Sequence, residues 1–399
     1  MQYLFVLGRE PLLSFAELES VFGATKLRPF PAQPAATPCA PAPIFAILDT
    51  TSPLEPAIIN RLGGTIKIAQ ILDQPLASFL STLPKDHKLT LGFSDYSKSA
   101  SKASTWQFAL KQKHLLRRQG RSVRLVPNTS ATLSAATIIY NRLTPNSSSH
   151  TQSIRTRYEI IRYNDLYAVT LAVQDISAYA KRDHARPARD AFVGMLPPKL
   201  AQILINLSTP TSPSTTILDP FCGTGVILQE ALLMGYSTYG SDLSQKMLDY
   251  TQQNLLWLAE RYPDLNLETK PVPLELGDAT THHWQITPPL AIASEIYLGQ
   301  PLSSPPNQST LNHLKTEAAT LVIAFLKNLS PQIPQGTSLA LAIPAWLRPD
   351  GSYEMPDILD EIAKLNYNVK RYRYVRAEDF IYHRKSQVVA RKIIVLRKK

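Results

Sequence analysis

A strand, a glycine turn and a helix follow one another at residues 216–226, an order that suits a nucleotide-type pocket. The apolar run ends at Asp219, and Pro220 ends the strand because it cannot donate to a sheet ladder. Gly223 and Gly225 let the backbone turn sharply and pass close to a ligand. The free N–H groups and the dipole at the start of the following helix would then face that ligand.

A second carboxylate stands where such a pocket needs one. Asp242 ends the next predicted strand and lies 17 positions after Gly225. In nucleotide-binding α/β folds a carboxylate roughly 20 residues on accepts hydrogen bonds from the ribose hydroxyls. The third glycine of the dinucleotide fingerprint is absent, so the full dinucleotide motif is not present.

The elements that must position these residues alternate along the second half of the chain. Strands are predicted at 216–219, 237–241, 271–276, 290–294 and 337–343. Helices are predicted at 226–234, 244–260, 313–329 and 355–365. This alternation predicts an α/β fold with a doubly wound parallel sheet. Two late strands, at about 368–375 and 388–396, have no helix between them and predict an antiparallel hairpin at one edge.

The first half of the chain has a different, α+β pattern. Residues 1–30 are predicted to form strand, helix and strand, with Ser14 as the helix N-cap and Glu17 completing a capping box. A basic helix is predicted at 105–119, and two strands at 158–161 and 166–173 are predicted to pair as a hairpin.

The motif Asp219–Gly225, DPFCGTG, resembles the first motif of class I S-adenosylmethionine (SAM) methyltransferases. The version is that of tRNA guanosine-N2 methyltransferases with a THUMP RNA-binding domain. The segment 194–201 (GMLPPKLA) and the later motif 277–279 (GDA) extend the resemblance over nearly the whole chain. It implies that SAM is the cofactor, with the aspartate of the later motif facing the adenine. The implied cofactor-binding residues are Asp219, Gly223, Thr224, Gly225, Asp242, Leu243, Asp278 and Ala279.

The same resemblance implies four segments. They are a ferredoxin-like module at 1–85, a THUMP domain at 86–175, a linker at 176–195 and a class I Rossmann-like methyltransferase domain at 196–399.

Positive charge is concentrated in two stretches. Residues 98–189 hold 16 Lys and Arg against 4 Asp and Glu, and residues 370–399 hold 11 against 2. The whole chain has a net charge of only +11, so the remainder is acidic. Segregated positive charge is the footprint of phosphate contacts, and a solvated basic face is the alternative. The residues predicted to bind RNA are Lys111, Lys113, Arg117, Arg118, Arg121, Arg124 and Arg186.

The predicted catalytic residues stand where this chain departs from the family. Amino-methyltransferases of this kind usually carry Asp/Asn-Pro-Pro-Tyr after the fourth strand, and the corresponding stretch here is 293–299 (ASEIYLG). Aligned on Tyr297, the usual aspartate falls on Ser294 and both prolines are lost. Glu295, one position along, is predicted to accept a hydrogen bond from the substrate amine, and Tyr297 to stack on the base. The alternative is that Glu295 ends a strand and Tyr297 packs under a loop.

The sequence therefore predicts a SAM-dependent methyltransferase that modifies the exocyclic N2 amine of a guanosine in tRNA. A second interpretation is a catalytically weak or inactive protein that binds structured RNA and keeps a SAM pocket. A third is a DNA amino-methyltransferase. The predicted partner is tRNA, and a small activating subunit is a possible second partner. The guanosine, the number of methyl groups and the oligomeric state stay open.

Composition excludes other classes. Two cysteines, Cys39 and Cys222, exclude a disulfide scaffold and a Cys-rich zinc site. No apolar run approaches the roughly 20 residues of a membrane span, and the first residues lack the basic start of a signal peptide. A soluble cytoplasmic protein is expected.

Overall fold

The computed structural model describes residues 1–31, 42, 44–145, 155–190, 195–210, 212, 214–267, 270–384 and 387–399. These residues form two large sheets. The elements of the first half are β1 (Gln2–Leu7), α1 (Pro11–Phe22), β2 (Leu27–Phe30), β3 (Phe45–Asp49), β4 (Thr65–Ile71), α2 (Leu76–Thr82), β5 (Leu89–Asp95), α3 (Lys102–Arg118), β6 (Val123–Leu125), α4 (Ala135–Asn141), β7 (Arg157–Tyr163), β8 (Leu166–Val173) and α5 (Ile176–His184).

The elements of the second half are α6 (Pro198–Leu207), β9 (Thr216–Asp219), α7 (Val226–Leu233), β10 (Ser237–Asp242), α8 (Gln245–Arg261), β11 (Leu274–Leu276), β12 (Leu290–Glu295), α9 (Gln308–Leu329), β13 (Ser338–Leu347), β14 (Tyr353–Glu354), α10 (Leu359–Lys364), β15 (Tyr367–Val369), β16 (Ile381–Tyr382) and β17 (Val389–Lys398). No helix in the described part of the chain is both long enough and apolar enough to cross a membrane.

The first sheet has eight strands in the order β2-β3-β1-β4-β8-β7-β5-β6. Strands β7 and β8 form the predicted hairpin, and β8 also pairs antiparallel with β4. The region predicted as a ferredoxin-like module and the region predicted as a THUMP domain therefore share one continuous sheet. The predicted boundary at residue 85 falls in the connection between α2 and β5, and the assignment of the two domains stays a prediction.

The second sheet has the central order β11-β10-β9-β12-β13-β17-β15. The pairs from β11 to β13 are parallel, whereas β17 is antiparallel to both β13 and β15. This confirms the predicted α/β class I fold with its antiparallel C-terminal hairpin. In that hairpin β15 is the edge strand, and β17 is inserted between β15 and β13.

The carboxyl ends of three neighbouring parallel strands place the important carboxylates together. Asp219 ends β9, Asp242 ends β10 and Glu295 ends β12. Ligands of doubly wound sheets bind at this edge, where the strand order reverses. Here β9 is the first strand of this sheet in the sequence. The chain adds β10 and β11 on one side of it and β12 on the other, so the order reverses between β9 and β12.

One local prediction from the sequence is wrong. Ser14 lies inside α1, which begins at Pro11, and its hydroxyl donates to the carbonyl of Glu10. The predicted capping box is therefore absent, because Glu17 points away from the helix start into a buried contact. Within the segment predicted as a linker, residues 176–184 form helix α5 with Asp175 as its N-cap, and the linker assignment stays a prediction.

The two halves share a hydrophobic core in which α1 packs on α6. Glu17 of α1 is completely buried there. It accepts hydrogen bonds from the backbone N–H groups of Gly63 and Gly64, at 2.9 and 2.8 Å, and from Nδ2 of Asn206 at 2.7 Å. Asn206 lies in α6, so one carboxylate joins the first helix to the methyltransferase-like half.

Glu17 predicts a pH dependence of stability. Burial raises its pKa from 4.5 to about 7, against the hydrogen bonds from Asn206, Gly64 and Gly63. The folded state therefore binds the proton more tightly than the unfolded state, and its contribution is lost as the pH rises from about 4.5 to about 7. The loss is roughly 3 kcal/mol. Denaturant unfolding across this range is expected to show it, and Glu17→Gln should flatten the curve by that amount. The other carboxylates contribute equally to the wild type and to Glu17→Gln. If the two proteins show the same dependence of stability on pH, the prediction is contradicted.

Candidate cofactor and substrate site

A cavity of about 520 Å³ opens at the carboxyl ends of β9, β10 and β12. It gathers residues from distant parts of the sequence, including most of those predicted to bind a cofactor or to act in catalysis. These are Asp219, Gly223, Thr224, Asp242, Leu243, Asp278, Ala279, Glu295 and Tyr297. Gly225 is the exception, since it lies behind the cavity wall against α8.

The glycine turn depends on backbone conformations that favour glycine. Gly223 has φ +52° and Gly225 has φ +77°. A Cβ on Gly225 would come within 2.8 Å of Cγ2 of Thr251, whose hydroxyl donates to the carbonyl of Gly223 at 2.7 Å. Asn254 holds the next carbonyl, that of Thr224, at 2.9 Å. Helix α8 thus fixes the shape of the turn from behind.

Asp242 is placed as a nucleoside-binding carboxylate would be. Its Oδ2 accepts from the N–H of Gly223 at 2.8 Å, and its Oδ1 accepts from the N–H of Ser244 at 2.9 Å. Each carboxylate oxygen can accept a second hydrogen bond, so both remain able to bind hydroxyl groups. Burial raises the pKa of Asp242, and the two backbone N–H groups oppose this rise.

Asp219 is almost completely buried at the base of the cavity. Oγ of Ser294, on the neighbouring strand, donates to its Oδ1 at 2.6 Å. Burial raises the pKa of Asp219 to about 7, against that hydrogen bond, and the nearby Asp242 and Glu295 raise it further. Ser294, at the position of the usual catalytic aspartate, therefore contacts the first motif.

The later motif also lines the cavity. Asp278 is exposed, and its Oδ1 accepts from both the N–H and the hydroxyl of Thr280. These hydrogen bonds lower the pKa of Asp278, so the carboxylate stays charged. Ala279 is buried beside it, and Leu243 stands on the rim with 73% of its surface exposed. A small residue and an exposed apolar one suit the flat faces of an adenine.

Glu295 and Tyr297, the predicted catalytic residues, line the same cavity. Tyr297 is 53% exposed, so it does not pack under a loop and its ring is accessible. Glu295 is paired with Arg391 of β17 through Nε and Oε1, and both side chains are largely buried. Burial raises the pKa of Glu295, and Arg391 opposes this rise. Arg391 was not predicted, although a basic pair inside an apolar run is a signal that a buried partner exists.

The segment before α6 completes the wall in a way that the sequence did not reveal. Asp190, Met195 and Leu196 line the cavity. Asp190 is held by Lys246 of α8, with Nζ at 2.9 Å from Oδ2. The backbone of Ala188 is joined to the side chain of Asn254 by hydrogen bonds in both directions. Residue 194 of the GMLPPKLA motif and the rest of 191–194 lie outside the described residues.

The basic residues predicted to bind RNA differ in their exposure to solvent. Lys111, Arg117 and Arg118 on α3 are exposed, as is Arg124 on β6, and Lys113 is half-buried.

Two further residues of that set are buried, which corrects the expectation that they contact RNA. Arg121 is 5% exposed, and its guanidinium donates to the carbonyls of Leu80 and Leu83. Arg186 is 3% exposed and lies 3.8 Å from a carboxylate oxygen of Asp183. Neither guanidinium is accessible to a phosphate at the surface.

Comparisons with known proteins find methyltransferases. A family model described as a DNA methylase matches residues 80–253, which is less than half of the chain. A tRNA (guanine(10)-N2)-dimethyltransferase of Methanothermobacter thermautotrophicus is 41% identical over 97 residues, which is 23% of this chain and 27% of that protein. One of Pyrococcus abyssi is 38% identical over 85 residues, 21% of this chain and 22% of that protein. The matches thus span about a quarter of these relatives.

Among solved structures, the chain is similar to that of TrmN from Thermus thermophilus. The TM-score is 0.47 at 18% identity, and the similarity covers 100% of both chains. The curated relatives confirm the predicted resemblance to tRNA guanine-N2 methyltransferases. The THUMP assignment and the roles of individual residues stay predictions.

Proposed function

We propose that this relative of the tRNA guanine-N2 methyltransferases transfers a methyl group from SAM to the exocyclic N2 amine of a guanosine in tRNA. One observation carries the proposal. Asp219, Asp242 and Glu295 end three neighbouring parallel strands and line a single cavity with Asp278 and Tyr297. We further propose that the protein acts in the cytoplasm, where its substrate is found.

The residues of the cavity fit SAM. The cofactor supplies an electrophilic methyl group on a sulfonium. Asp242 would accept hydrogen bonds from the ribose hydroxyls, with both of its oxygens fixed by backbone N–H groups. Asp278 and Ala279 would face the adenine. Asp219 and the backbone of Gly223 and Thr224 would hold the amino-acid end, where a buried carboxylate suits a positive charge.

Glu295 and Tyr297 would act on the base. The guanine amine is a poor nucleophile because its lone pair is delocalised into the ring. A carboxylate that accepts a hydrogen bond from the amine would favour a pyramidal nitrogen, whose lone pair is less delocalised. The nitrogen would bond to the methyl carbon as the methyl–sulfur bond breaks, and would then lose a proton. The exposed ring of Tyr297 would stack on the base and hold the amine in line with the methyl group. The base must leave its helix to enter, which costs a few kcal/mol.

The exposed cations Lys111, Arg117, Arg118 and Arg124 are proposed to bind the tRNA backbone. Three of them lie on one helix, α3, and they are far in sequence from the cavity. Helix-borne Lys and Arg suit recognition of folded RNA by its shape. A small activating subunit is part of this proposal only as a component to be added if the chain alone is inactive.

Transfer of labelled methyl from SAM to unmodified tRNA tests the proposal. Nucleoside mass spectrometry is expected to show N2-methylguanosine. Glu295→Gln should lower the rate about 30-fold, because an amide oxygen is a weaker acceptor than a carboxylate, and should leave SAM affinity unchanged. Glu260→Gln on the exposed face of α8 is the matched control. A methylated base other than guanine, or an unchanged rate in Glu295→Gln, would contradict the assignment.

A second candidate is an inactive RNA-binding protein that retains the SAM pocket. Two observations favour it. Ser294 replaces the usual aspartate and donates to Asp219, and the carboxylate of Glu295 is already paired with Arg391. Its signature would be measurable binding of SAM and tRNA without any product. The DNA methylase description of the matching family model favours a third candidate, which competition between duplex DNA and tRNA would separate.

A further inference from the structure

The pair of Glu295 and Arg391 joins two strands that are not neighbours. Glu295 ends β12, Arg391 lies in β17, and β13 runs between them. The exposed fractions of the two side chains are 14% and 4%. A buried charge without a partner is costly, so each of the two groups depends on the other.

The register shows how the pair spans β13. Glu295 is opposite Ala342, and Arg391 is opposite Pro344. Opposed residues point to the same face of a sheet, and so do residues two apart on one strand. Glu295, Ala342, Pro344 and Arg391 therefore share one face. The small side chain of Ala342 leaves room for the guanidinium to reach the carboxylate.

We propose that Arg391 is the positioning residue for Glu295 in methyl transfer, an inference that rests on the proposed function. Arg391 fixes Oε1 of Glu295. Among the described residues the structure gives Oε2 no hydrogen-bond partner, and Glu295 lines the cavity. The fixed carboxylate would thus present its second oxygen to the substrate amine. In this chain, glutamate with an arginine partner takes the place of the aspartate that Ser294 has replaced.

The electrostatics of the cavity explain why a cation is needed. Asp219 and Asp242 lie at the ends of the next two strands, and Asp190 and Asp278 line the same cavity. All of these carboxylates disfavour a further negative charge. Lys246 also lines the cavity, but it is paired with Asp190. Burial raises the pKa of Glu295, and Arg391 is the cation that opposes the rise. Without Arg391 the pKa of Glu295 would rise further, and a carboxyl that holds its proton cannot accept from the amine through the protonated oxygen.

Three variants test this role. Arg391→Gln removes the charge, Arg391→Lys keeps it, and Arg397→Gln makes the same charge change at an exposed position of β17. In Arg391→Gln, kcat at neutral pH is expected to fall about tenfold, while SAM affinity changes less than about twofold. The acid limb of the pH–rate profile should move up by about one unit. Arg391→Lys should restore most of kcat and most of the position of the acid limb, and Arg397→Gln should match the wild type in both measurements. An unchanged acid limb in Arg391→Gln would overturn the proposal.

A measurement without turnover separates this inference from the proposed function. The side-chain carboxyl of Glu295 can be titrated by NMR in protein labelled with ¹³C-glutamate, with Glu295→Gln identifying the resonance. Its midpoint is expected to rise in Arg391→Gln and to return in Arg391→Lys. If the midpoint shifts but the wild type methylates no RNA, the proposed function fails and the pairing holds. If the midpoint does not move, Arg391 does not control Glu295. If Arg391→Gln does not fold, Arg391→Met replaces it as the variant without the charge: a raised midpoint supports the proposal, and an unmoved midpoint overturns it.

Discussion

Gly225→Ala is expected to weaken SAM binding more than about 100-fold. Gly225 has φ +77°, a conformation that costs a residue with a Cβ about 1–2 kcal/mol. The added Cβ would also meet Cγ2 of Thr251 at 2.8 Å and its Oγ1 at 3.0 Å. Either the turn or α8 must shift. Because the hydroxyl of Thr251 holds the carbonyl of Gly223, the shift would disturb the backbone that is proposed to bind the cofactor.

Gly235→Ala is the matched control. Gly235 has φ +86°, and a Cβ there would have no atom within 4 Å. It therefore carries the conformational cost without the collision, and stability should fall by about 1 kcal/mol with SAM affinity unchanged. Calorimetric titration with SAM and denaturant unfolding of both variants separate the two effects. Equal SAM affinity in the two variants would show that the turn does not bind the cofactor.

Arg117→Glu combined with Arg118→Glu is expected to weaken tRNA binding about 100-fold at low salt. Both residues are exposed at the end of α3, and each reversal replaces an attraction for phosphate with a repulsion. Loss of two phosphate contacts should also reduce the slope of log affinity against log salt by roughly 1.5 to 2. Filter binding across a salt series measures both quantities.

The control must make the same change in net charge elsewhere. Lys327→Glu with Lys364→Glu does so on α9 and α10, where both lysines are exposed. This double variant should reduce the affinity for tRNA only through the lower net charge of the protein, with little change in the slope of log affinity against log salt. If the two double variants behave alike, α3 is not the surface that binds RNA, and the proposed orientation of the tRNA is wrong.

The sequence predicted the second sheet well because its signals are local. Strand β9 was predicted at 216–219 and lies at Thr216–Asp219, since an apolar run and the following Pro220 fix both ends. That three carboxylates meet at one edge of this sheet was predictable for the same reason. Asp219, Asp242 and Asp278 each follow a predicted strand, and parallel strands bring their carboxyl ends to one edge.

Whether a charged side chain is buried or exposed could not be predicted from local signals. Arg121 and Arg186 stand in basic stretches, yet both are buried, and Arg121 donates to the distant carbonyls of Leu80 and Leu83. Glu17 matches the spacing of a capping box but binds Gly63, Gly64 and Asn206 instead. Such contacts depend on which helices and strands pack together, and the spacing of residues within one segment carries no information about that packing.

The pairing of β8 with β4 has a consequence for how the chain folds during synthesis. Strand β4 ends at Ile71, whereas β8 is not complete until Val173, about 100 residues later. At roughly 5 to 20 residues per second, the ribosome would need about 5 to 20 s to deliver the partner. For that time one edge of β4 has open backbone groups, which is a state prone to pairing with other chains. A nascent chain of this protein is thus exposed to misassembly until β8 has emerged and closed the sheet.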